Sequence, residues 1–193
     1  MNLIIFGGSF NPVHIGHLHL AEEARKTFSC ETVVFVPAAV PPHKPSTDMA
    51  DASMRLRMLT LATLRSDFII DDCEIRRGGT SFTIDTVKDI IERYGLKKKP
   101  GLLIGDDLAR GFSQWKDPEK IAGLTHIIVA RRLGTKPAGF GFDHTEIANL
   151  LVPVSSKDIR RRIHADKAYR FLLPPDVYDF IEAHGLYRSP AAP

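Results

Sequence analysis

Short apolar runs alternate along this chain with longer stretches in which apolar residues recur every three to four positions. The runs predict buried strands, and the periodic stretches predict amphipathic helices. The predicted strands are Leu3–Phe6, Thr32–Val36, Phe68–Asp71, Leu102–Ile104, His126–Val129 and Leu150–Val154. The predicted helices are Gly16–Thr27, Ala52–Leu64, Thr83–Tyr94, Asp107–Phe112, Pro118–Ala122, Lys157–Ala165 and Pro175–His184. Because strands and helices alternate and the strands are short and apolar, we expect an α/β fold, a doubly wound parallel sheet with helices on both faces.

The length and the composition are those of one globular domain. The chain has 193 residues, of which 44% are hydrophobic and 25% are charged, so it can form a full core. We therefore expect a single domain over residues 1–193. Two irregular segments, Pro37–Met49 and Arg131–Thr145, interrupt the predicted elements. Loops of that length in a compact domain are usually functional or mobile.

The net charge and the cysteines narrow the class of protein further. A formal charge of +3 is mild and does not by itself indicate a nucleic-acid partner. Cys30 and Cys73 have no metal-binding or redox spacing, so we expect two buried, reduced thiols. The chain begins at once with a strand, without the leader of a signal peptide, and no apolar run is long enough to cross a membrane. These features predict a cytoplasmic protein with no membrane or nucleic-acid partner.

The segment Gly7–His17, GGSFNPVHIGH, joins the first predicted strand to the first predicted helix. In an open parallel sheet, ligands bind at the carboxyl ends of the strands. The glycine pair lets a ligand approach the backbone, and the free N–H groups of a helix start suit phosphate. His14 and His17 are three positions apart and so face one side, while Gly16 adds no side chain to block a nucleotide. The pattern predicts a nucleotide phosphate site with two histidines.

The segment Val154–Arg160, VSSKDIR, predicts a second junction of a strand with a helix. Ser155 and Ser156 are good helix N-caps, and a well-capped helix alone would explain them. Lys157 and Arg160, however, place cations at a helix N-terminus, where the helix dipole disfavours them unless an anion is bound. Together, the two junctions predict a triphosphate held at both ends in one cleft.

Other phosphate, metal and nucleophile signatures are absent from the sequence. There is no G-x-x-x-x-G-K-[ST] loop and no G-x-G-x-x-G after a strand, so neither a P-loop NTPase nor a dinucleotide dehydrogenase fits. No H-E-x-x-H or paired C-x-x-C supports a zinc site. No Ser–His–Asp or Cys–His signature indicates a nucleophilic side chain.

The two junctions resemble the end motifs of the H-x-G-H nucleotidyltransferase superfamily, G-G-[ST]-F-[DN]-P-x-H-x-G-H and I-S-S-T-x-I-R. The intervening segments are similar to those of the bacterial nicotinate-nucleotide adenylyltransferases. They are Pro41–Lys44, Ser81–Thr86, Gly105–Asp107 followed by Phe112, Trp115 and Lys116, and Leu172–Tyr187. The match runs from the first strand to Tyr187. It implies a Rossmann-like nucleotidyltransferase fold in which a small C-terminal helical element, residues 155–187, closes the triphosphate site.

The resemblance implies transfer of AMP from ATP to nicotinate mononucleotide, giving nicotinate adenine dinucleotide and pyrophosphate in NAD biosynthesis. It implies Mg²⁺ held by the substrate phosphates rather than by a protein cage. The residues implied in catalysis are His14, His17, Lys44 and Arg160. Those implied to bind ATP are Gly8, Ser9, Phe10, His14, His17, Gly105, Asp107, Ser155, Ser156 and Arg160. Those implied to bind nicotinate mononucleotide are Lys44, Thr83, Trp115 and Arg132.

Three positions depart from the family pattern. Asn11 stands where Asp is common, Lys157 replaces the usual Thr of I-S-S-T, and Leu133 stands where Pro is frequent. The first puts a charge-based role of that position in doubt. The second removes one hydroxyl from the triphosphate site and introduces a cation. The third is expected to loosen the loop that follows.

Other functions suit parts of the pattern. The tetrapeptide His14–His17 is also typical of class I aminoacyl-tRNA synthetases, but the chain is too short for an anticodon-reading domain and lacks a substantial basic face. A non-catalytic nucleotide sensor is a third possibility. Within the same chemistry, nicotinamide mononucleotide or phosphopantetheine are alternative acceptors. Trp115 also suits ordinary core packing.

Overall fold

The computed structural model describes residues 1–41, 49–132 and 140–188. Within these ranges six strands form one sheet: β1 (Leu3–Gly8), β2 (Thr32–Pro37), β3 (Ile69–Ile70), β4 (Gly101–Gly105), β5 (His126–Ala130) and β6 (His144–Ile147). The order is β3–β2–β1–β4–β5–β6, and every neighbouring pair is parallel. The chain order reverses between β1 and β4. A crevice therefore forms at their carboxyl ends, where open α/β sheets bind ligands.

Eight α-helices in the described residues cover the sheet: α1 (Ile15–Thr27), α2 (Ala52–Thr63), α3 (Cys73–Arg77), α4 (Thr83–Arg93), α5 (Asp106–Ala109), α6 (Pro118–Leu124), α7 (Ser156–His164) and α8 (Pro175–His184). Successive side chains of β1 point to opposite faces of the sheet. Ile4 and Phe6 join a core cluster with α1, α2, α7 and α8. Leu3 and Ile5 join a second cluster with α3 to α6. The predicted doubly wound α/β fold is confirmed.

The predicted helix Asp107–Phe112 is two elements in the structure. Helix α5 ends at Ala109, and a separate 3₁₀ turn covers Phe112–Gln114. Gly111 lies between them, and glycine is a poor residue for a helix interior. The short helix α3 and the 3₁₀ turn Arg170–Leu172 were not predicted, because elements this short have no recognisable period.

The predicted strand Leu150–Val154 is wrong, since the sixth strand is β6, His144–Ile147. The side chain of Asn149 hydrogen-bonds both backbone groups of Arg131, its Oδ1 accepting at 2.8 Å and its Nδ2 donating at 2.9 Å. The side-chain amide of Asn149 thus makes the two hydrogen bonds that the backbone of a neighbouring strand would otherwise make to Arg131 at the end of β5. Pro153 has no N–H to give to a ladder. The prediction missed β6 because it is a polar strand at the edge of the sheet and has no apolar run.

The two cysteines are both buried and unpaired, as predicted. Burial raises the pKa of the Cys73 thiol to about 12, and it also raises the pKa of Cys30. Across the described ranges, no helix combines the length and the apolar character needed to cross a bilayer.

Candidate active site

A cavity of about 510 Å³ opens at the carboxyl ends of β1 and β4, where the strand order reverses. Cavities of this size typically hold small-molecule ligands. Most of the residues implied by the sequence to contact substrate line it: Gly8, Ser9, Phe10, His17, Gly105, Asp107, Arg132, Ser155, Ser156 and Arg160. Both predicted phosphate motifs therefore contribute to one cleft.

The loop after β1 is anchored by a buried ring. Phe10 has a φ of +45°, in the left-handed region that costs a non-glycine residue about 1–2 kcal/mol. The ring is buried and packs edge-on against Phe6, with ring centroids 5.7 Å apart. A Cβ at Gly8 would lie 3.0 Å from the Phe10 ring, so a side chain there would force the ring to shift. This packing places Gly8 and Ser9 on the cavity wall.

His17 lies on the cavity wall with one ring nitrogen already engaged. Its Nδ1 accepts a hydrogen bond from the backbone N–H of His14 at 3.2 Å. An accepting Nδ1 places the proton of the neutral imidazole on Nε2. The Nε2–H group is therefore the hydrogen-bond donor of this ring.

His14 stacks behind His17 and is not among the residues that line the main cavity. The two ring centroids are 3.7 Å apart with the planes tilted by 30°. His14 is only 1% exposed, and neither of its ring nitrogens has a hydrogen-bond partner among the described residues. Burial, with a smaller contribution from the charge of Arg132, lowers the pKa of His14 to about 3. This imidazole is neutral at physiological pH.

Gly16 is surrounded closely by protein atoms. A Cβ at this position would lie 2.9 Å from Cγ1 of Val154 and 3.1 Å from Nδ1 of His14. Val154 belongs to the closing junction, and His14 belongs to the same junction as Gly16. The glycine lets the segment before α7 pack closely against the start of α1.

Two hydrogen bonds join the opening and closing junctions. Ser156 Oγ donates to the carbonyl of Pro12 at 2.8 Å, across 144 positions of sequence. Arg160 Nη1 donates to the carbonyl of Asn11 at 2.7 Å. These bonds fix the N-terminus of α7 beside the loop that follows β1. The two motifs face one another as the sequence predicts.

Ser155 caps α7, as the sequence predicts. Its Oγ accepts a hydrogen bond from the backbone N–H of Asp158 at 3.0 Å and donates one to Oδ2 of Asp158 at 2.7 Å. The hydrogen bond from Ser155, followed by the charge of Arg161, lowers the pKa of the Asp158 carboxyl. Since the hydroxyl protons of Ser155 and Ser156 are both donated within the protein, a bound anion would meet the backbone N–H groups of the first turn.

Asp107 and Arg132 form an ion pair on the other cavity wall. Nη1 of Arg132 lies 3.1 Å from Oδ2 of Asp107, and the backbone N–H of Arg132 donates to Asp106 at 3.0 Å. A Cβ at Gly105 would lie 2.2 Å from Oδ1 of Asp107 and 2.6 Å from Cδ of Arg132. Glycine at 105 therefore allows this pair to lie over the end of β4.

Cations predominate on the cavity walls. Arg132, Lys157 and Arg160 line it, and Asp107 is the single carboxylate that the described residues contribute. Such a balance favours a polyanionic ligand. In the described ranges no group of three or more His, Cys, Asp or Glu side chains is arranged to hold a metal ion.

Of the residues implied for the acceptor nucleotide, Arg132 lines the cavity, whereas Thr83 and Trp115 are not among its lining residues. Thr83 begins α4, and half-buried Trp115 follows the 3₁₀ turn Phe112–Gln114, its ring 4.9 Å from that of Phe112. Lys116, next to Trp115, contacts the start of α4. Its Nζ lies 4.6 Å from the centroid of the Phe82 ring and 3.2 Å from Oδ2 of Asp85. Lys44 and Leu133 lie outside the described residues.

Two polar residues of the site have structural roles that sequence reasoning did not find. Asn11 is buried, and its Oδ1 accepts hydrogen bonds from the N–H of Ala50 at 3.1 Å and from the hydroxyl of Tyr187 at 2.7 Å. Arg55 is buried beneath the same loop. The signal for Arg55 was available: it lies three and four positions before Met58 and Leu59, on the apolar face of α2.

Residues 5–162 of the chain match the cytidylyltransferase-like family. A Borreliella burgdorferi protein named "Probable nicotinate-nucleotide adenylyltransferase" is 38% identical over 188 residues, covering 97% of both chains. A Treponema pallidum protein of the same name is 37% identical over 204 residues, covering 98% of this chain and all of its own. A solved nicotinic acid mononucleotide adenylyltransferase of Plasmodium falciparum, complexed with NaAD, has the same fold: the TM-score is 0.79 at 20% identity, with 96% and 97% of the two chains covered.

Proposed function

Because this chain belongs to the cytidylyltransferase-like family, and within it to the nicotinate-nucleotide adenylyltransferases, we propose that it transfers AMP from ATP to nicotinate mononucleotide and releases pyrophosphate. The product is nicotinate adenine dinucleotide, an intermediate of NAD biosynthesis. The observation that carries this proposal is the shared cleft of the two phosphate motifs, held together by the Ser156–Pro12 and Arg160–Asn11 hydrogen bonds.

The chemistry requires positioning and charge stabilisation and no nucleophilic side chain. The phosphate of the acceptor is already ionised at neutral pH and attacks the α-phosphorus of ATP directly. Its oxygen forms the new bond as the bond to pyrophosphate breaks. His17 donates its Nε2–H to an α-phosphate oxygen, where charge develops in the transition state. Neutral His14 packs behind His17 and holds the ring in this orientation.

The leaving pyrophosphate is stabilised at the start of α7. The N–H groups of the first helical turn and the side chains of Lys157 and Arg160 supply positive potential there. Lys157 is one of the three residues by which this chain departs from the family pattern, and it lines the cavity. We propose that residues 155–187 form the element that closes this end of the site within a single 1–193 domain.

Mg²⁺ suits this site as a companion of the triphosphate. The described wall offers one carboxylate, Asp107, which is already paired with Arg132. Such a donor set fits a Mg²⁺ ion held mainly by phosphate oxygens and water rather than by a protein cage. When bound, the ion would neutralise phosphate charge.

The acceptor nucleotide binds next to this cleft. Thr83 and Trp115 contact the pyridine ring, Arg132 and Lys44 contribute positive charge, and Gly105 and Asp107 contact the adenosine ribose. The contacts that Lys116 makes with the start of α4 support a common pocket for Thr83 and Trp115. The two buried cysteines, with their raised pKa values, support a reducing compartment such as the cytoplasm.

Pyrophosphate release tests the proposal directly. Purified protein with ATP and Mg²⁺ should release pyrophosphate with nicotinate mononucleotide and more slowly with nicotinamide mononucleotide. Phosphopantetheine and tRNA with amino acids should support no release. Faster release with another acceptor would show that nicotinate mononucleotide is not the preferred substrate. No pyrophosphate release with any of these acceptors would favour a nucleotide sensor.

A further inference from the structure

One guanidinium, that of Arg55, donates hydrogen bonds to four backbone carbonyls from beneath the active-site cleft. Nη1 donates to Ser9 at 3.0 Å and to Ala38 at 2.6 Å. Nη2 donates to Ala39 at 3.1 Å, and Nε donates to Ala50 at 3.0 Å. The acceptors belong to the loop after β1, the end of β2 and the segment before α2. A single buried side chain thus connects three separate backbone segments.

Arg55 is buried, and no carboxylate of the described residues accepts a hydrogen bond from it. The residue is 1% exposed, and burial lowers the pKa of its guanidinium. The nearby acidic groups, Asp51 and Glu74, act on it only at longer range. A charge held in this way is costly for folding, and an apolar residue on the same face of α2 would avoid that cost. Core packing therefore does not explain why residue 55 is an arginine.

The carbonyls that Arg55 holds connect the two substrate regions. Ser9 lines the cavity that we assign to ATP. The N–H of Ala39 donates to Ser81 Oγ at 2.9 Å, and Ser81 lies two positions before Thr83, which we assign to the acceptor. The N–H of Ala38 donates to the carbonyl of Gly8 at 2.9 Å. Arg55 therefore lies at the point where the ATP loop and the acceptor side meet.

We propose that Arg55 is a positioning residue that sets the distance between the bound ATP and the acceptor phosphate by clamping the Ser9, Ala38–Ala39 and Ala50 carbonyls. The inference rests on the proposed function, and it assigns to Arg55 no contact with either substrate. Direct transfer between two bound substrates is sensitive to their spacing, and a displacement of about 1 Å can lower the rate about 10²-fold.

The test compares Arg55→Met and Arg55→Lys with Arg57→Met, an exposed arginine on the same helix. Arg55→Met should lower kcat about 10- to 100-fold with a smaller change in KM for ATP. Arg55→Lys should recover part of kcat, because an ammonium group still donates hydrogen bonds but cannot span all four carbonyls. Arg57→Met should match the wild type. Rates are measured well below each variant's unfolding temperature.

Hydrogen exchange supplies a readout that does not depend on turnover. The amides of Ala38, Ala39 and Ala50 should exchange faster in Arg55→Met, and to a smaller extent in Arg55→Lys, than in Arg57→Met. If Arg55→Met does not fold, the lysine variant decides both measurements. Folded Arg55 variants with wild-type kcat and wild-type exchange at these amides would overturn the inference. A wild-type protein that releases no pyrophosphate would instead refute the proposed function, and the exchange experiment would still test the clamp.

Discussion

His14 is the N-cap of α1 and His17 lies in its first turn, yet the fold gives the two side chains different surroundings. His17 lines the cavity, whereas His14 is buried and its ring nitrogens have no hydrogen-bond partner among the described residues. The difference arises from what packs over each ring. His17 faces the open cleft, and Arg132 and the segment around Val154 lie beside His14. The two residues should therefore respond differently to substitution.

Replacing His17 should impair catalysis and leave the fold intact. His17→Ala removes one donor to the charge that develops at the α-phosphate, and loss of such a donor typically lowers kcat on the order of 10²–10³-fold. The measurement is pyrophosphate release at saturating substrates. His126→Ala, which alters an exposed histidine, serves as the matched control. Turnover of His17→Ala near that of the wild type would remove its assigned role.

His14 should make the stability of the protein depend on pH. Its pKa is about 3 in the folded state against an ordinary value of 6.5. Between these values the unfolded chain binds a proton that the folded protein excludes, so stability is unaffected above pH 6.5 and falls as the pH decreases toward 3. The slope should approach about 1.4 kcal/mol per pH unit.

Urea unfolding between pH 4 and 7.5 measures this slope. His14→Asn should reduce it by the contribution of one proton. Identical slopes for wild type and His14→Asn would show that His14 is not held neutral by its burial.

Trp115 should contribute to acceptor affinity. Stacking of an aromatic side chain on a base is worth about 1–3 kcal/mol, so Trp115→Ala should raise KM for nicotinate mononucleotide about 5- to 150-fold and leave KM for ATP unchanged. Phe171→Ala, which removes an aromatic that is 86% exposed, is the control. A rise confined to KM for ATP would reassign Trp115 to the adenine.

At the scale of elements, α7 combines a well-formed cap with an unfavourable charge arrangement. Ser155 caps it, while Lys157 and Arg160 place cations within its first two turns. Cations near a helix N-terminus destabilise the helix, and a bound polyanion reverses the sign of that effect. The cap therefore stabilises an element whose charges are suited to a ligand.

Removing the cap should affect stability in a measurable way. Ser155→Ala deletes the acceptor of the Asp158 N–H, and loss of an N-cap typically lowers the free energy of unfolding by about 0.5–2 kcal/mol. Ser53→Ala, on the exposed surface of α2, is the matched control for chemical denaturation. An equal effect of both substitutions would contradict a capping role.

At the scale of the whole molecule, the cleft joins elements from opposite ends of the chain. A nucleotide bound between the β1–α1 loop and α7 should stabilise the folded protein, by about 2.7 kcal/mol at a concentration 100 times its Kd. Arg160→Met severs the hydrogen bond to Asn11 and removes one cation from the cavity. This variant should gain less from the same concentration of ATP and Mg²⁺.

Thermal unfolding with and without ATP provides the measurement. Lys26→Met, which removes an exposed lysine of α1, should gain as much from ATP as the wild type. Equal ATP-induced shifts in wild type and Arg160→Met would place the triphosphate elsewhere.

Most of the fold could be predicted, and the exceptions have physical reasons. The four central strands are buried on both faces and have apolar sequences such as LIIF and TVVFV, and the edge strand β3 is also apolar, so five of the six could be located from apolar runs. The edge strand β6 is polar on its exposed side, and the apolar run Leu150–Val154 was mistaken for it. Leu150 is apolar but 68% exposed, because the apolar character of a residue does not by itself determine whether it is buried.

The sequence by itself determined the α/β architecture, the family and the residues of the two phosphate motifs, because strand periodicity and motif spacing are local properties of the chain. Only the tertiary structure decided which histidine lines the main cavity, which atoms surround Gly16, and that Arg55 joins three backbone segments. Each of these depends on atoms brought together from distant positions: Val154 against Gly16, Arg132 near His14, and four carbonyls around one guanidinium. Such contacts are set by how the sheet and helices pack, which no short segment of sequence specifies.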